Sequence, residues 1–165
     1  INTDNPQLDC RLKGYEKFSP KRVILDRNLD IKINTDIVKT AKKDNTIIFY
    51  RRAKGTKIKN LKKKRIILIK SSINKRGMFD IKKIFKRLYK LGIKTLLIEG
   101  GDKITKNILN QGLFNEFYLF HSSKKIDKKD FYVSFTSLNI LRKKYNKYLK
   151  SWFKIADDNI RVYEK

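Results

Sequence analysis

The stretch TLLIEGGDKITKN, residues 95–107, puts a carboxylate at the end of an apolar run. Glu99 follows TLLI directly and precedes Gly100 and Gly101, whose lack of a Cβ lets the backbone turn sharply and approach a ligand closely. A helix that begins near Asp102 would point its free amides and the positive end of its dipole at a phosphate. The stretch therefore predicts a carboxylate beside a phosphate-binding turn, or else a plain strand-to-helix connection with the same pattern.

Five short apolar runs predict the strands that would hold this stretch. They are rich in β-branched and aromatic residues, which favour pleated, partly buried backbone. Residues 80–93 instead repeat apolar side chains at helical spacing, with Lys and Arg on the other face, which predicts an amphipathic helix that stops at Gly92. The five runs are RVILD (22–26), TIIFY (46–50), RIILI (65–69), TLLIE (95–99) and EFYLF (116–120).

The order strand, helix, strand, helix, strand over residues 65–120 predicts a βαβαβ unit with parallel strands. Such strands are buried on both faces, and ligands bind beyond their carboxyl ends. The tail, residues 148–165, predicts an antiparallel hairpin with ADDN as its turn. We therefore expect an α/β fold in a single domain: a mainly parallel central sheet flanked by helices, with a C-terminal antiparallel hairpin.

The scarcity of Cys and His narrows the classes of site that the chain could hold. Its 165 residues include one Cys, Cys10, and one His, His121, so no intramolecular disulfide can form and a structural zinc site with four such ligands is disfavoured. No apolar run approaches the roughly 18–20 residues of a membrane span. With no leader-like N-terminus, these features lead us to expect a cytoplasmic protein with no metal and no membrane partner.

The net charge of +26 leaves two interpretations open. A nucleic-acid-binding module is one alternative function, and it would concentrate such charge on one face. Compositional drift would spread Lys through the chain, and Lys does occur in nearly every segment. We favour drift and expect no specific nucleic-acid partner, because no helix-turn-helix, zinc-finger or RNA-binding aromatic motif is present. The densest runs are KNLKKKR (59–65), KKIDKK (124–129) and RKKYNKYLK (142–150).

Four stretches, in this order along the chain, resemble the reductase domain of the RibD family of riboflavin biosynthesis proteins. They are DNPQLDCR (4–11), KRVILDRNL (21–29), TLLIEGG (95–101) and ILNQGLFNEFYLF (108–120). In that family a deaminase domain precedes the reductase, which has a dihydrofolate-reductase-like fold. The resemblance implies NADPH-dependent reduction of 5-amino-6-(5-phosphoribosylamino)uracil to the 5-phosphoribitylamino product, with hydride delivered to the sugar C1 through an open-chain imine.

Transferred position by position, the resemblance implies two sets of contacts. Arg11 suits the ribose 5-phosphate, because a guanidinium holds two phosphate oxygens at once. The resemblance assigns no general acid or base, so the catalytic residue is unknown. The implied substrate contacts are Leu8, Arg11 and Glu99. The implied NADP contacts are Asp4, Arg27, Gly101, Asp102, Lys103, Ile104, Thr105, Lys106 and Asn107.

The chain also departs from the family pattern. It begins inside the DNP segment, so we expect an N-terminally truncated reductase that lacks the first strand and helix of its domain, and the zinc motifs of the deaminase have no match. The loop HSSKKIDKKD (121–130) is polar where the family has an apolar-proline step and glycines. A non-catalytic relative that keeps the fold is a further alternative. Family members associate through the reductase domain, which implies a homodimer.

Overall fold

The computed structural model describes residues 1–124 and 134–165. The chain forms two compact units, residues 1–80 and 81–165. Each unit contains a three-stranded sheet, parallel in the first unit and antiparallel in the second. Of the helices in the described ranges, none has the length and apolar character needed to cross a membrane.

The parallel sheet of the first unit has the spatial order β1 (Arg22–Leu25), β2 (Thr46–Tyr50), β3 (Ile67–Lys70). β2 is paired along both edges, and its first four residues are buried. A strand in that position needs a continuous apolar run, which is the pattern that predicted it. The three strands predicted in this part of the chain are confirmed, with β3 beginning two residues later than expected.

Two helices and a 3₁₀ turn, Glu16–Phe18, accompany this sheet. The helices are α1 (Asp36–Lys39) and α2 (Gly55–Lys63), and α2 connects β2 to β3. The sequence patterns predicted no helix at α2, because Leu61 is its one buried side chain and lysines surround it. The core cluster of the unit comprises Ile24, Leu29, Ile31, Ile37, Val38, Ile48, Leu61 and Ile66.

The second unit begins with two amphipathic helices, α3 (Ile81–Lys90) and α4 (Asp102–Gln111). The spacing that predicted α3 is confirmed, since its buried side chains recur every three or four residues. Both helices are followed by a glycine at positive φ, Gly92 at 81° and Gly112 at 63°. Glycine adopts this conformation without steric cost, so it ends a helix cleanly.

The rest of the second unit is an antiparallel sheet with the order β4–β6–β5. The hairpin predicted for the tail is confirmed, with a two-residue turn at Ala156 and Asp157 between β5 and β6. The strands are β4 (Glu116–His121), β5 (Leu149–Ile155) and β6 (Asp158–Glu164). A helical segment precedes β5: α5 (Leu138–Ile140), a π-helical turn (Leu141–Tyr145) and a 3₁₀ turn (Asn146–Tyr148). The buried cluster of this part comprises Leu109, Leu141, Tyr145 and Tyr163.

The predicted βαβαβ unit over residues 65–120 is wrong in two respects. Residues 95–99 form no strand, and their side chains are exposed, 81 % in the case of Leu97. β4 pairs antiparallel with β6 rather than joining a parallel sheet. A strand exists only where a neighbour completes its hydrogen-bond ladder, and no described residue does so for residues 95–99. The α/β class itself is confirmed by the parallel sheet of residues 22–70 and the C-terminal hairpin.

Candidate active site

The predicted site residues divide between the two compact units. None of them is fully buried, so a ligand can reach each one. The first unit contains Asp4, Leu8, Arg11 and Arg27, and the second contains Glu99 and residues 101–107.

Two asparagines hold the N-terminal segment that carries Asp4. Asn2 accepts the amide of Lys32 at 3.0 Å. Asn5 lies in the left-handed region at φ 42° and accepts the amide of Asp36, the first residue of α1, at 2.9 Å. Asn tolerates that conformation better than most residues do. Asp4, between these anchors, is exposed and makes no side-chain hydrogen bond to any described residue.

Leu8 and Arg11 follow on the same segment and have different surroundings. Leu8 is half-buried against the core cluster of the first unit, and its φ of 53° is a conformation that costs a leucine about 1–2 kcal/mol. Packing therefore holds the segment in a shape it would not choose by itself. Arg11 is exposed, and no described residue bonds its guanidinium. The Arg11 guanidinium is thus available to an anionic ligand.

Arg22 secures this segment to the sheet, a role that the sequence patterns did not predict. Its side chain is 5 % exposed, and it donates to the carbonyl of Gln7 at 3.3 Å. Burial lowers the pKa of Arg22, and the charge of Asp9 partly offsets this effect. The sequence does place this cation at the first position of an apolar strand, where a buried charge needs hydrogen-bond partners. The other acceptors are the hydroxyls of Thr40 and Thr46 and the carbonyl of Ile37, at 2.7, 2.8 and 3.1 Å.

Three exposed arginines follow the carboxyl ends of β1 and β2. The carbonyl of Arg27 accepts the amides of Arg51 and Arg52 at 2.9 and 3.1 Å, so these backbones are adjacent. The Nη1 of Arg27 also donates to the carbonyl of Gly77 at 3.3 Å. Guanidinium groups at this edge of a parallel sheet suit a phosphate ligand. Of the three, the resemblance implies Arg27 alone. Arg51 and Arg52 could have been found as the pair RR directly after the apolar strand TIIFY.

The two glycines after Glu99 have different roles. A Cβ on Gly100 would lie 2.1 Å from the Cγ2 of Ile104, so this position admits no side chain without a shift. Gly101 has an ordinary φ of −71°, and a Cβ added there would meet no atom within 4 Å. The carbonyl of Gly101 accepts the amide of Ile104 at 3.2 Å and so begins α4, as expected. Glu99 is exposed and makes no side-chain hydrogen bond to the described residues.

The carboxylate of Asp102 is bound by a distant loop. It accepts the amide of Ser137 at 2.8 Å, the hydroxyl of Ser137 at 2.6 Å and the hydroxyl of Thr136 at 2.5 Å. These bonds, with the nearby charge of Lys106, lower the pKa of Asp102. Ser137 is fully buried. Asp102 therefore remains ionised and ties the start of α4 to residues 136–137.

The other predicted residues of α4 divide into charged and helix-bound side chains. Lys103 and Lys106 are exposed and supply positive charge near the first amides of the helix, which have no partner within it. The hydroxyl of Thr105 lies 3.5 Å from the carbonyl of the first glycine. Asn107 accepts a hydrogen bond from the glutamine one turn later at 2.6 Å, and Ile104 is half-buried. Free amides and two ammonium groups make this turn suitable for phosphate.

The loop that departs from the family pattern falls mostly outside the described residues. This applies to most of HSSKKIDKKD (121–130) and of the lysine run KKIDKK (124–129). His121 is described, and it is the exposed last residue of β4. Among residues 1–124 and 134–165, no three His, Cys, Asp or Glu side chains gather in a group that could hold a metal ion.

Comparison with known proteins relates the chain to one family. A family model for the RibD C-terminal domain matches residues 1–158. The chain is 29 % identical over 129 residues to the riboflavin biosynthesis protein RibD of Aquifex aeolicus, covering 75 % of the chain and 33 % of that protein. It is 26 % identical over 124 residues to the 2,5-diamino-6-ribosylamino-4(3H)-pyrimidinone 5′-phosphate reductase of the same organism, covering 73 % and 52 %. The chain thus spans a third to a half of these relatives.

Solved structures share the fold. RibD of Acinetobacter baumannii superimposes with a TM-score of 0.72 at 18 % identity, over 98 % of the chain and 43 % of that protein. A pyrimidine reductase-like protein of Corynebacterium diphtheriae gives 0.62 at 15 % identity, over 88 % and 61 %. The α/β architecture is accordingly the dihydrofolate-reductase-like one of RibD reductase domains.

Proposed function

Because the chain belongs to the family of RibD C-terminal domains, we propose that it is the reductase portion of a riboflavin biosynthesis enzyme. The proposed reaction is the NADPH-dependent reduction of 5-amino-6-(5-phosphoribosylamino)uracil to the 5-phosphoribitylamino product. The observation that supports it most is the extent of the family match, since residues 1–158 include every predicted site residue. The Aquifex relative named as a pyrimidinone phosphate reductase supports the same substrate class.

Each unit offers groups that suit a phosphate of NADPH, which supports the proposed cofactor. When bound, NADPH supplies a hydride, which the reaction needs at C1 of the ribosyl group. The first amides of α4, with Lys103 and Lys106, would hold its phosphates, and the missing Cβ of Gly100 keeps the turn before them tight. Arg27, beside Arg51 and Arg52, would hold a 2′-phosphate.

The substrate contacts follow from charge and exposure. Arg11 has no described partner, so its guanidinium would take the ribose 5-phosphate. Glu99 carries an unengaged carboxylate, which accepts hydrogen bonds from the amino groups of a pyrimidine or the hydroxyls of a sugar. Leu8 would present an apolar contact from its half-buried position. No described group is assigned as proton donor.

The experiment that tests this function measures loss of the absorbance of NADPH with and without the pyrimidine substrate, together with the melting temperature of the chain. We expect NADPH to raise the melting temperature, because a hundredfold excess over Kd adds about 2.7 kcal/mol to the free energy of unfolding. We also expect loss of NADPH absorbance only when the substrate is present. Stabilisation without turnover would indicate the non-catalytic alternative. The absence of both stabilisation and turnover would contradict the proposal.

Substitutions test the transferred residues. Arg11→Ala should raise the KM for the phosphorylated substrate by about tenfold or more, because a bond to a charged group is lost, and Glu99→Gln should lower turnover. Arg87→Ala, an exposed arginine on α3 outside the predicted site, is the matched control and should change neither. Wild-type kinetics in both site variants would show that these contacts are misassigned.

A further inference from the structure

A pocket of about 570 Å³ opens on one face of the β4–β6–β5 sheet. Strand register places Leu119, Arg161 and Trp152 in one row across the sheet. His121 and Asn159 form the next row on the same face of the sheet, two positions along each strand. The helical segment before β5 contributes Leu138 and Arg142, which are four residues apart, and β5 contributes Leu149. The volume lies within the range of small-molecule sites.

The polar groups that line the pocket are cationic or neutral. Two guanidinium groups, of Arg142 and Arg161, share it with the imidazole of His121 and the amide of Asn159, and no carboxylate lines it. Among the described residues these four side chains have no hydrogen-bond or ion-pair partner. Two like charges on one small pocket repel each other, and an anion between them removes that repulsion while accepting several donors.

Trp152 supplies the second recognition element. Its side chain is 67 % exposed, which leaves a large apolar ring in water. It stands directly across the strand pair from Arg161, and leucines line the rest of the pocket. An indole face stacks on planar rings, and a guanidinium beside it binds the anionic group of the same ligand.

From this combination we propose that the pocket binds a small anionic ligand with a planar ring, of the size of a nucleoside monophosphate. It is separate in sequence from the proposed reductase site, since none of its lining residues is a predicted substrate or NADP contact. The inference therefore stands whether or not the chain is a reductase.

The test uses Trp152 as its reporter, because it is the one tryptophan of the 165 residues. Adenosine 5′-monophosphate, titrated into the chain, should quench the tryptophan fluorescence with a saturable curve. Adenosine should bind at least about tenfold more weakly, since it lacks the anion, and inorganic phosphate should compete weakly, since it lacks the ring. The absence of a saturable quench, or equal affinity for adenosine, overturns the proposal. Phosphate that competes as well as the nucleotide overturns the stacking contribution.

Variants localise the binding. Arg142→Gln and Arg161→Gln should each weaken the nucleotide by about tenfold, because each removes a charge-assisted hydrogen bond from the pocket. Lys143→Gln removes a charge from the next residue, which does not line the pocket, and should leave the affinity unchanged. Both arginines are exposed, so the far-ultraviolet circular dichroism of their variants should match that of the parent chain. Unchanged affinity in both arginine variants overturns the proposal, and so does equal weakening in Lys143→Gln.

Discussion

The carboxylate of Asp102 sits on the first turn of the helix that the proposed function assigns to the NADP phosphates. A negative charge stabilises the N-terminus of a helix, but it opposes an incoming phosphate. Thr136 and Ser137 bind its two oxygens, and the lowered pKa keeps the group charged. Lys103 and Lys106 must therefore balance this charge before the turn attracts a phosphate.

The effect of Asp102 on stability should depend on pH. Its lowered pKa means that it contributes stability above the ordinary carboxyl pKa, and this contribution is lost as pH falls through the folded-state value. We expect Asp102→Asn to lower the free energy of unfolding by about 1 kcal/mol at neutral pH, so that the variant unfolds at a lower urea concentration. The loss is small because water reaches the carboxylate. The difference from the parent chain should shrink below pH ~4.

Asp157→Asn is the control for that series, because Asp157 is exposed and has no hydrogen-bond partner among the described residues. It should change stability little at any pH. A deficit of Asp102→Asn that stays constant or grows in acid would show that the hydrogen bonds of Ser137 and Thr136 do not depend on the ionised carboxylate.

At the scale of elements, residues 95–99 and the start of α4 show where composition predicts the structure and where it does not. TLLIE has the composition of a buried strand, yet it is exposed and unpaired in the described chain. α4 begins where expected, since its start depends on local features: two glycines, the carbonyl of Gly101 and the charge of Asp102. The start of α4 therefore follows from local features, whereas residues 95–99 lack the neighbouring strand that their composition alone could not guarantee.

The two glycines of this connection provide a matched pair of substitutions. Gly100→Ala should destabilise the second unit by about 1–3 kcal/mol, since its Cβ would overlap the side chain of Ile104. Gly101→Ala should be nearly neutral for folding, because its φ is ordinary and the space around it is open. Urea denaturation measures both. Equal losses in the two variants would contradict the steric distinction.

At the scale of the whole molecule, the net charge of +26 is spread rather than concentrated. Lys and Arg occur on helices, strands and turns of both units, and among the described residues Arg22 is the buried cation. Compositional drift predicts such a distribution, and the absence of a specific nucleic-acid partner stays a prediction. The distribution also implies a general attraction for polyanions, which follows from charge rather than from a specific site.

Measurements of binding to duplex DNA distinguish compositional drift from a nucleic-acid-binding function as the origin of the charge. We expect weak binding at low salt that weakens steeply as salt increases and is equal for unrelated sequences, because released counterions drive it. Fluorescence anisotropy with two labelled duplexes across a salt series measures this. Retained affinity at physiological salt, or a preference for one duplex, would favour the nucleic-acid-binding alternative instead.

The sequence by itself determined the α/β class, the parallel strands of the first unit, helices α3 and α4 and the terminal hairpin. Periodicity, helix-ending glycines and turn residues act over a few positions, so neighbouring residues in the sequence are enough to predict their effects. It also supplied the residues transferred to the site, through DNPQLDCR, KRVILDRNL and the stretch that begins with TLLIEGG, and their contacts stay predictions.

Only the tertiary structure decided the antiparallel partner of β4, the exposure of residues 95–99 and two unpredicted anchors of the site. Arg22 bonds the carbonyl of Gln7, 15 positions earlier, and Asp102 bonds Ser137, 35 positions later. Hydrogen bonds and ladders between distant segments depend on which surfaces meet when the chain folds. That information is absent from local composition, because a buried arginine and an exposed one are written with the same letter.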